Sequence, residues 1–182
     1  MARTYRRSTG ILLVVMLAAT LLFMSVVPGP AAAKKAAKTP SIVDVAIAVN
    51  TSGTYAGAFD TLIAAVLAAD PAVVQTLSSR AQYTVFAPTD DAFAKLGLNP
   101  GNIGTALTKT DLTDILLYHV AYGRRYAADV IASDQIRMLN GGFVFQSGGV
   151  LTDAQDRTST IIVTDVEATN GIIHAIDSVL LP

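Results

Sequence analysis

Apolar residues crowd the end of the chain. From Thr160 to Val166 and from Ile172 to Leu181, β-branched and aliphatic residues run nearly unbroken, with Asn170 and Gly171 between them, a pair that tolerates positive φ at a tight turn. The pattern predicts a hairpin. Its second arm would set Ile172, His174 and Ile176 on one face and Ile173, Ala175, Asp177 and Val179 on the other. With apolar residues on both faces it reads as a central strand, so the fold closes only when the C-terminus docks.

Upstream the period changes to that of helices. Ser41 can cap a helix through Asn50 with Ile42, Val45, Ala46 and Val49 on one face, and Phe59, Leu62, Ile63, Val66 and Leu67 form a stripe over 58–69. Asp70 and Pro71 stop that helix and start another turn carrying Val73, Val74 and Leu77. A strand is predicted over Tyr83–Phe86, followed by a helix capped by Thr89, with Asp90 and Asp91 in its first turn and Phe93 and Leu96 inward. Residues 99–108 read as a loop or an irregular helix. Thr110 would cap a helix from Asp111 to about Val120 whose buried stripe is Leu112, Ile115, Leu116 and His119. After a helical turn at 127–131 come short strands at 135–139, 143–146 and 150–152, separated by Asn140-Gly141-Gly142 and Gly148-Gly149. Helices first and consecutive strands last predict an α+β domain with a mostly antiparallel sheet.

Composition changes the picture at the N-terminus. Of 182 residues 52% are hydrophobic, but part of that figure comes from the run Ile11–Val27, which follows Arg3, Arg6 and Arg7 and ends at Pro28-Gly29-Pro30. Ala31 and Ala33 give a small-x-small cleavage pattern, so 1–33 reads as a signal peptide, 34–40 as a flexible tether and 41–182 as one domain. The protein is expected to be secreted, extracellular or periplasmic. An uncleaved segment, 17 residues long, would instead tether it to a membrane. The chain has no cysteine, so stability outside the cell has to come from the core.

Six of the 13 basic residues precede Ser41, leaving seven against all 14 acidic residues and a domain charge of −7. Such a surface argues against a nucleic-acid partner.

Three blocks carry a family resemblance: TVFAPTDDAFAKL at 84–96, LLYHVAYGRRYAADV at 116–130 and ATNGIIHAIDSVLLP at 168–182. Together they resemble a fasciclin (FAS1) domain, in the manner of secreted single-domain members. The resemblance implies a wedge-shaped β-sandwich with flanking helices and a role in adhesion or protein binding rather than catalysis, the partner being an extracellular matrix or cell-surface protein. It also implies a partner-binding site at Asp165, Val166, Tyr118 and His119, the positions matching an aspartate-aliphatic pair and a Tyr-His segment that recognise integrins in animal members. Thr89, Asn170, Gly171, His174 and Asp177 fall in the family's structural segments.

The remaining chemistry is sparse. His119 and His174 sit among apolar residues, where a neutral, hydrogen-bonded ring is the ordinary outcome, and His174 and Asp177 lie on opposite faces of a strand, so no metal and no cofactor are expected. Neither a nucleophile elbow nor a convergent triad is present, and the glycine pairs lack the helix start and lysine of a phosphate loop. Tyr118, one residue off the stripe, either packs with its hydroxyl reaching a partner at the rim or bonds the C-terminal hairpin. Asp165 reads as an outward carboxylate whose loss leaves stability unchanged. Arg124, Arg125 and Tyr126 make a local basic and aromatic cluster, either a solvated helix end or an interface anchor. The alternative function is an extracellular carrier of a small apolar ligand such as haem or lipid, in a pocket touched by Tyr118 or His119.

Overall fold

The computed structural model describes residues 40–182, so the expected signal peptide and all but the last residue of the tether lie outside the described residues. The helices are α1 (Ile42–Thr51), α2 (Asp60–Ala68), α3 (Pro71–Leu77), α4 (Asp90–Ala94), α5 (Ile103–Ala106), α6 (Lys109–Tyr118) and α7 (Ala127–Ile131). The strands are β1 (Tyr83–Pro88), β2 (Val120–Tyr122), β3 (Gln135–Arg137), β4 (Phe143–Ser147), β5 (Val150–Thr152), β6 (Thr158–Ala168) and β7 (Gly171–Ile176).

Helix starts follow the short polar residues that can take an orphan N–H. Ser41 and Asp44 form a capping box on α1, Asp70 caps α3 ahead of Pro71, and Thr89 Oγ1 accepts from Ala92 N on α4. For α6 the cap is Thr108, not Thr110, because Asp111 lies three residues on and completes a capping box. The helix also ends earlier than its apolar stripe suggested, since His119 is the C-cap and Val120–Tyr122 leaves as a strand. Phe59, at the N-cap of α2, has no side-chain acceptor to offer, and Asp90 Oδ1 supplies one from α4, 2.8 Å from Thr61 N.

The strands lie in the order β2-β1-β7-β6-β5-β4-β3. From β3 to β7 each pairs antiparallel with the next, as the pattern predicts. The exception is β1, which lies parallel to β7 with Tyr83 opposite Gly171, since the intervening elements return the chain beside β1 in the same direction. A bridge between Ala121 and Met138, with Leu139 N bonded to Val120 O, joins β2 to the end of β3 and curls the sheet onto itself. Strand β6, 11 residues long, serves both layers of the resulting sandwich.

Alternation along β1 and β7 feeds two cores. Phe86 and Ile176 point into the curl with Tyr118, Ile136, Met138 and Leu151. Val85, Ala87, Ile173 and Ala175 face the helices and meet Phe59, Ala65, Phe93, Leu112 and Leu116. Both strands are buried along their whole length, so β7 is the central strand expected. The apolar stripe of α2 is rotated from the expected one: Thr61, Ala65 and Ala69 face inward, while Leu67 is 77% exposed. Small residues there let α5 approach, with Ala68 Cβ 3.3 Å from where a Cβ on Gly104 would stand. Leu96, expected inward, is 39% exposed on the rim of a cleft described below.

The hairpin differs from the predicted one in its turn. Its loop is Thr169-Asn170, and neither Asn170 nor Gly171 has positive φ. Asn170 acts through its side chain instead. Its Oδ1 accepts from Ile42 N at 2.8 Å, and its Nδ2 donates to Leu77 O at 2.7 Å and Ser79 O at 2.9 Å, which ties α1, α3 and the hairpin together. Beyond Ile176 the chain leaves the sheet and side chains pin it: His119 Nε2 accepts from Leu180 N, Asp153 from Leu181 N, and Arg157 donates to Val179 O.

Candidate functional site

The irregularity at the centre of β6 shapes the outer surface of the domain. Val163 pairs with Ala175 and Val166 with Ile173, so Thr164 and Asp165 together oppose the single residue His174. This is a bulge, and Asp165 takes φ +60°, a left-handed conformation that aspartate accepts better than most residues. The bulge would leave the Asp165 N–H without a ladder partner. His174 Nδ1 accepts it at 3.2 Å.

That bond decides the histidine's tautomer. With Nδ1 accepting, the proton is on Nε2, which donates to Arg125 O at 2.9 Å. The ring has no exposed surface and stacks on Phe86 at 5.7 Å between centroids. His174 thus links the bulge on one side to the β2–α7 loop on the other.

Asp165 closes the link from outside. Its Oδ1 accepts from Ala127 N at 2.8 Å, the first helical residue of α7. The expectation of an idle outward carboxylate is therefore corrected, because the side chain is exposed yet structural. Asp165→Ala is expected to lower stability by about 2 kcal/mol, through the lost acceptor and the strain of alanine at positive φ. Asp165→Asn keeps an acceptor and tolerates the conformation, so it should stay within about 0.5 kcal/mol of wild type. Urea titration of both variants checks the contrast.

Around the bulge lies one continuous patch. Tyr126 donates its hydroxyl to Glu167 Oε1 at 2.9 Å, and Arg124 Nη1 donates to Ala168 O at 2.8 Å. Val166 is half-buried, its side chain packed on the helix-side core. Sequence reading placed Asp165 and the Arg124–Tyr126 cluster apart; their contact depends on β6 and the β2–α7 loop lying side by side, which no spacing in the chain signals.

Tyr118 and His119 belong to a different region. Tyr118 has no exposed surface; its hydroxyl donates to Phe143 O at 2.6 Å and accepts from Ala154 N at 3.1 Å. Burial raises its pKa above the usual 10.0, with the nearby Asp153 charge acting the same way and the Ala154 N–H opposing. The rim position is thus corrected, and so is its alternative, since these partners lie on β4 and the β5–β6 loop rather than on the hairpin. The physical reason is that Tyr118 closes the last turn of α6 while the sheet curls over it. His119 is 3% exposed; Nε2 accepts from Leu180 N at 3.0 Å, so the proton is on Nδ1, facing Ile115 O at 2.8 Å. Burial lowers its pKa to about 4. Side chains without accessible surface cannot touch a docked protein, so neither residue contributes directly to a binding face.

The ion pair of buried Asp153 with half-buried Arg157, 2.7 Å apart, escaped sequence reading although its i, i+4 spacing is visible in DAQDR. Burial raises the Asp153 pKa, and hydrogen bonds from Leu181 N, from the Arg157 backbone and side chain, and from Gln155 N more than offset it, so it lies below the ordinary value. Asp177 behaves alike at the end of β7: burial raises, while Thr160 N, the Lys95 charge and two serine hydroxyls lower the result below normal.

An apolar cleft of about 390 Å³ opens between α2, α4, α5 and α6, lined by Leu62, Phe93, Ile103, Leu112, Leu116 and Leu181 among others. His119 is at its wall, but both ring nitrogens are already bonded. Among the described residues no group of three His, Asp or Glu side chains is arranged to hold a metal ion. Nor is any single described helix long and apolar enough to cross a membrane.

Comparison with known proteins agrees with this geometry. Residues 57–182 match the Fasciclin domain family. The chain is 36% identical to protein sll1483 of Synechocystis sp. over 82% of this chain and 81% of that one. It is 33% identical to the transforming growth factor-beta-induced protein ig-h3 of Sus scrofa over 68% of this chain and 18% of that one. Among solved structures it is similar to a FAS1 domain pair from the insect cell adhesion molecule fasciclin I, with a TM-score of 0.55 and 25% identity over 68% of this chain and 45% of that one.

Proposed function

We propose that this chain, which belongs to the Fasciclin domain family, is a secreted, non-enzymatic adhesion module that docks a matrix or cell-surface protein through the patch around Asp165 and Val166. The observation that carries the reading is the Asp165 bulge, exposed yet held rigid by His174 and Ala127. A surface fixed in this way loses little conformational entropy on binding. Tyr122, 64% exposed, and Tyr126, 39% exposed, supply the aromatic surface that interfaces favour. The basic n-region, apolar run and alanine pair of 1–33 support export, with 41–182 as the working domain.

Adsorption to immobilised matrix proteins and whole cells tests the reading. Tyr126→Ser, on the patch, should weaken saturable adsorption by roughly tenfold while the protein stays folded by circular dichroism. Equal adsorption by the variant, or none by the wild type, overturns the assignment.

The apolar cleft favours a second reading, carriage of a small apolar ligand. Its volume and aliphatic walls suit an acyl chain, whereas ligation of haem iron by His119 would break the bond to Leu180 N or to Ile115 O. An acyl lipid in the organic extract of protein that fails to adsorb would move the conclusion there.

A further inference from the structure

Beside α7 an open concavity of about 510 Å³ is lined by Tyr122, Arg124, Arg125, Asp129 and Ser133, whereas the cleft near His119 is almost wholly apolar. Arg125 is held there by its main chain: its N–H donates to Thr84 Oγ1 at 2.9 Å and its carbonyl accepts from His174 Nε2 at 2.9 Å. Its guanidinium is left almost unused. Nε is buried without a partner, and Nη1 reaches only Ser133 Oγ at 3.5 Å. The ion pairs among the described residues join Lys95 to Asp177, Lys109 to Asp70 and Arg157 to Asp153, and involve neither Arg124 nor Arg125. A half-buried guanidinium without an anion is costly, and its planar fork selects an oxyanion that can accept two parallel bonds.

We propose that this concavity binds a carboxylate side chain from an acidic segment of the partner protein, with Arg125 as the fork. The proposal rests on the protein-binding reading and names the chemistry of its partner. Charge chooses the ligand: Arg124 and Arg125 are opposed by Asp129, so the lining carries a net +1, enough for one carboxylate and ill suited to a polyanion. Asp129 is turned to its own helix start, where Oδ2 accepts from Tyr126 N at 3.0 Å, and forms an ion pair with neither arginine. Exposed Tyr122 forms part of the lining and offers an aromatic surface of the kind that interfaces favour. His174 joins the site to the bulge, because the same ring accepts from Asp165 N and donates to Arg125 O.

Calorimetric titration of the full chain with a short glutamate-rich peptide, and separately with a sulfated oligosaccharide, tests this. The peptide should bind saturably, more weakly as salt rises, and Arg125→Gln should lower its affinity at least tenfold. Arg125→Lys should recover only part of the loss, because it restores charge without the fork. The thermal midpoint of Arg125→Gln should not fall, since the side chain makes one long hydrogen bond and no ion pair, and Arg80→Gln should bind the peptide as wild type does. An equal loss in Arg80→Gln, tighter binding of the oligosaccharide, or no peptide binding overturns the proposal. Persisting adsorption to matrix proteins in those cases would leave the adhesion reading standing, whereas loss of adsorption with intact peptide binding would overturn that reading alone.

Discussion

Gly171→Ala is expected to lower the stability of the domain by about 3 kcal/mol or more, and the thermal midpoint by roughly 10 °C. A Cβ at position 171 would stand inside contact distance of the Tyr83 carbonyl oxygen and 2.6 Å from Ile42 Cδ1. The first neighbour is backbone. Tyr83 sits opposite Gly171 at the start of the parallel ladder, and its own N–H donates to Asn170 O at 3.0 Å, so it cannot retreat without parting β1 from β7. Both cores depend on that pair, which makes a local repair unavailable. Gly101→Ala is the control: its Cβ would meet only Asn99 Oδ1 at 3.3 Å, and φ there is not positive. It should stay within about 1 kcal/mol of wild type. If Gly171→Ala melts with the wild type, the close approach of the two strands is wrong.

Acid should weaken the domain well before its carboxylates titrate. The buried His119 ring is neutral, with its pKa lowered to about 4 by desolvation, while an unfolded histidine has a pKa of 6.5. As pH falls below 6.5 the unfolded chain takes up a proton that the folded chain refuses until about 4. Stability is therefore complete above 6.5, declines between 6.5 and 4, and loses about 3 kcal/mol across that window. The neighbouring charges of Arg157 and Asp153 act on the ring in opposite senses, and burial outweighs them. Asp153 and Asp177 have pKa values below normal, so their stabilisation is full above the ordinary value of 3.8 and is lost below it. The two effects occupy different pH ranges. Urea titrations at pH 7, 6, 5 and 4 should give a slope that His119→Gln removes, at the expense of a lower plateau from the lost bond to Leu180 N. A slope unchanged in the variant would assign the acid sensitivity elsewhere.

How much of this was legible in the chain depends on the range of the interaction. Caps were legible where acceptor and donor are within three residues, as at Ser41, Asp70 and Thr89. The same rule misassigned α6 because two threonines, Thr108 and Thr110, compete, and the deciding Asp111 has to be read with the right one. Alternation along β7 identified a central strand, since residues two apart share a face whatever the partner strands are. It could not reveal that one neighbour is parallel, because a parallel pair is made by a long connection and leaves no turn signal.

The candidate site divides in the same way. Asp165 was named from the chain, but its positive φ comes from a bulge that exists only against His174. Tyr118 and His119 were named together with it and proved to be interior, one under the curl of the sheet and one beneath the C-terminal tail. By itself the sequence determined the α+β class and the excess of acidic residues, which follow from local period and composition, while three ordered motif blocks carried the resemblance to the family. The tertiary structure alone decided which polar groups are exposed, which histidine nitrogen carries the proton, and that the half-buried Arg125 guanidinium has no ion-pair partner among the described residues. Those properties depend on atoms distant in the chain approaching within a few ångströms, and a pattern of neighbours does not encode that distance.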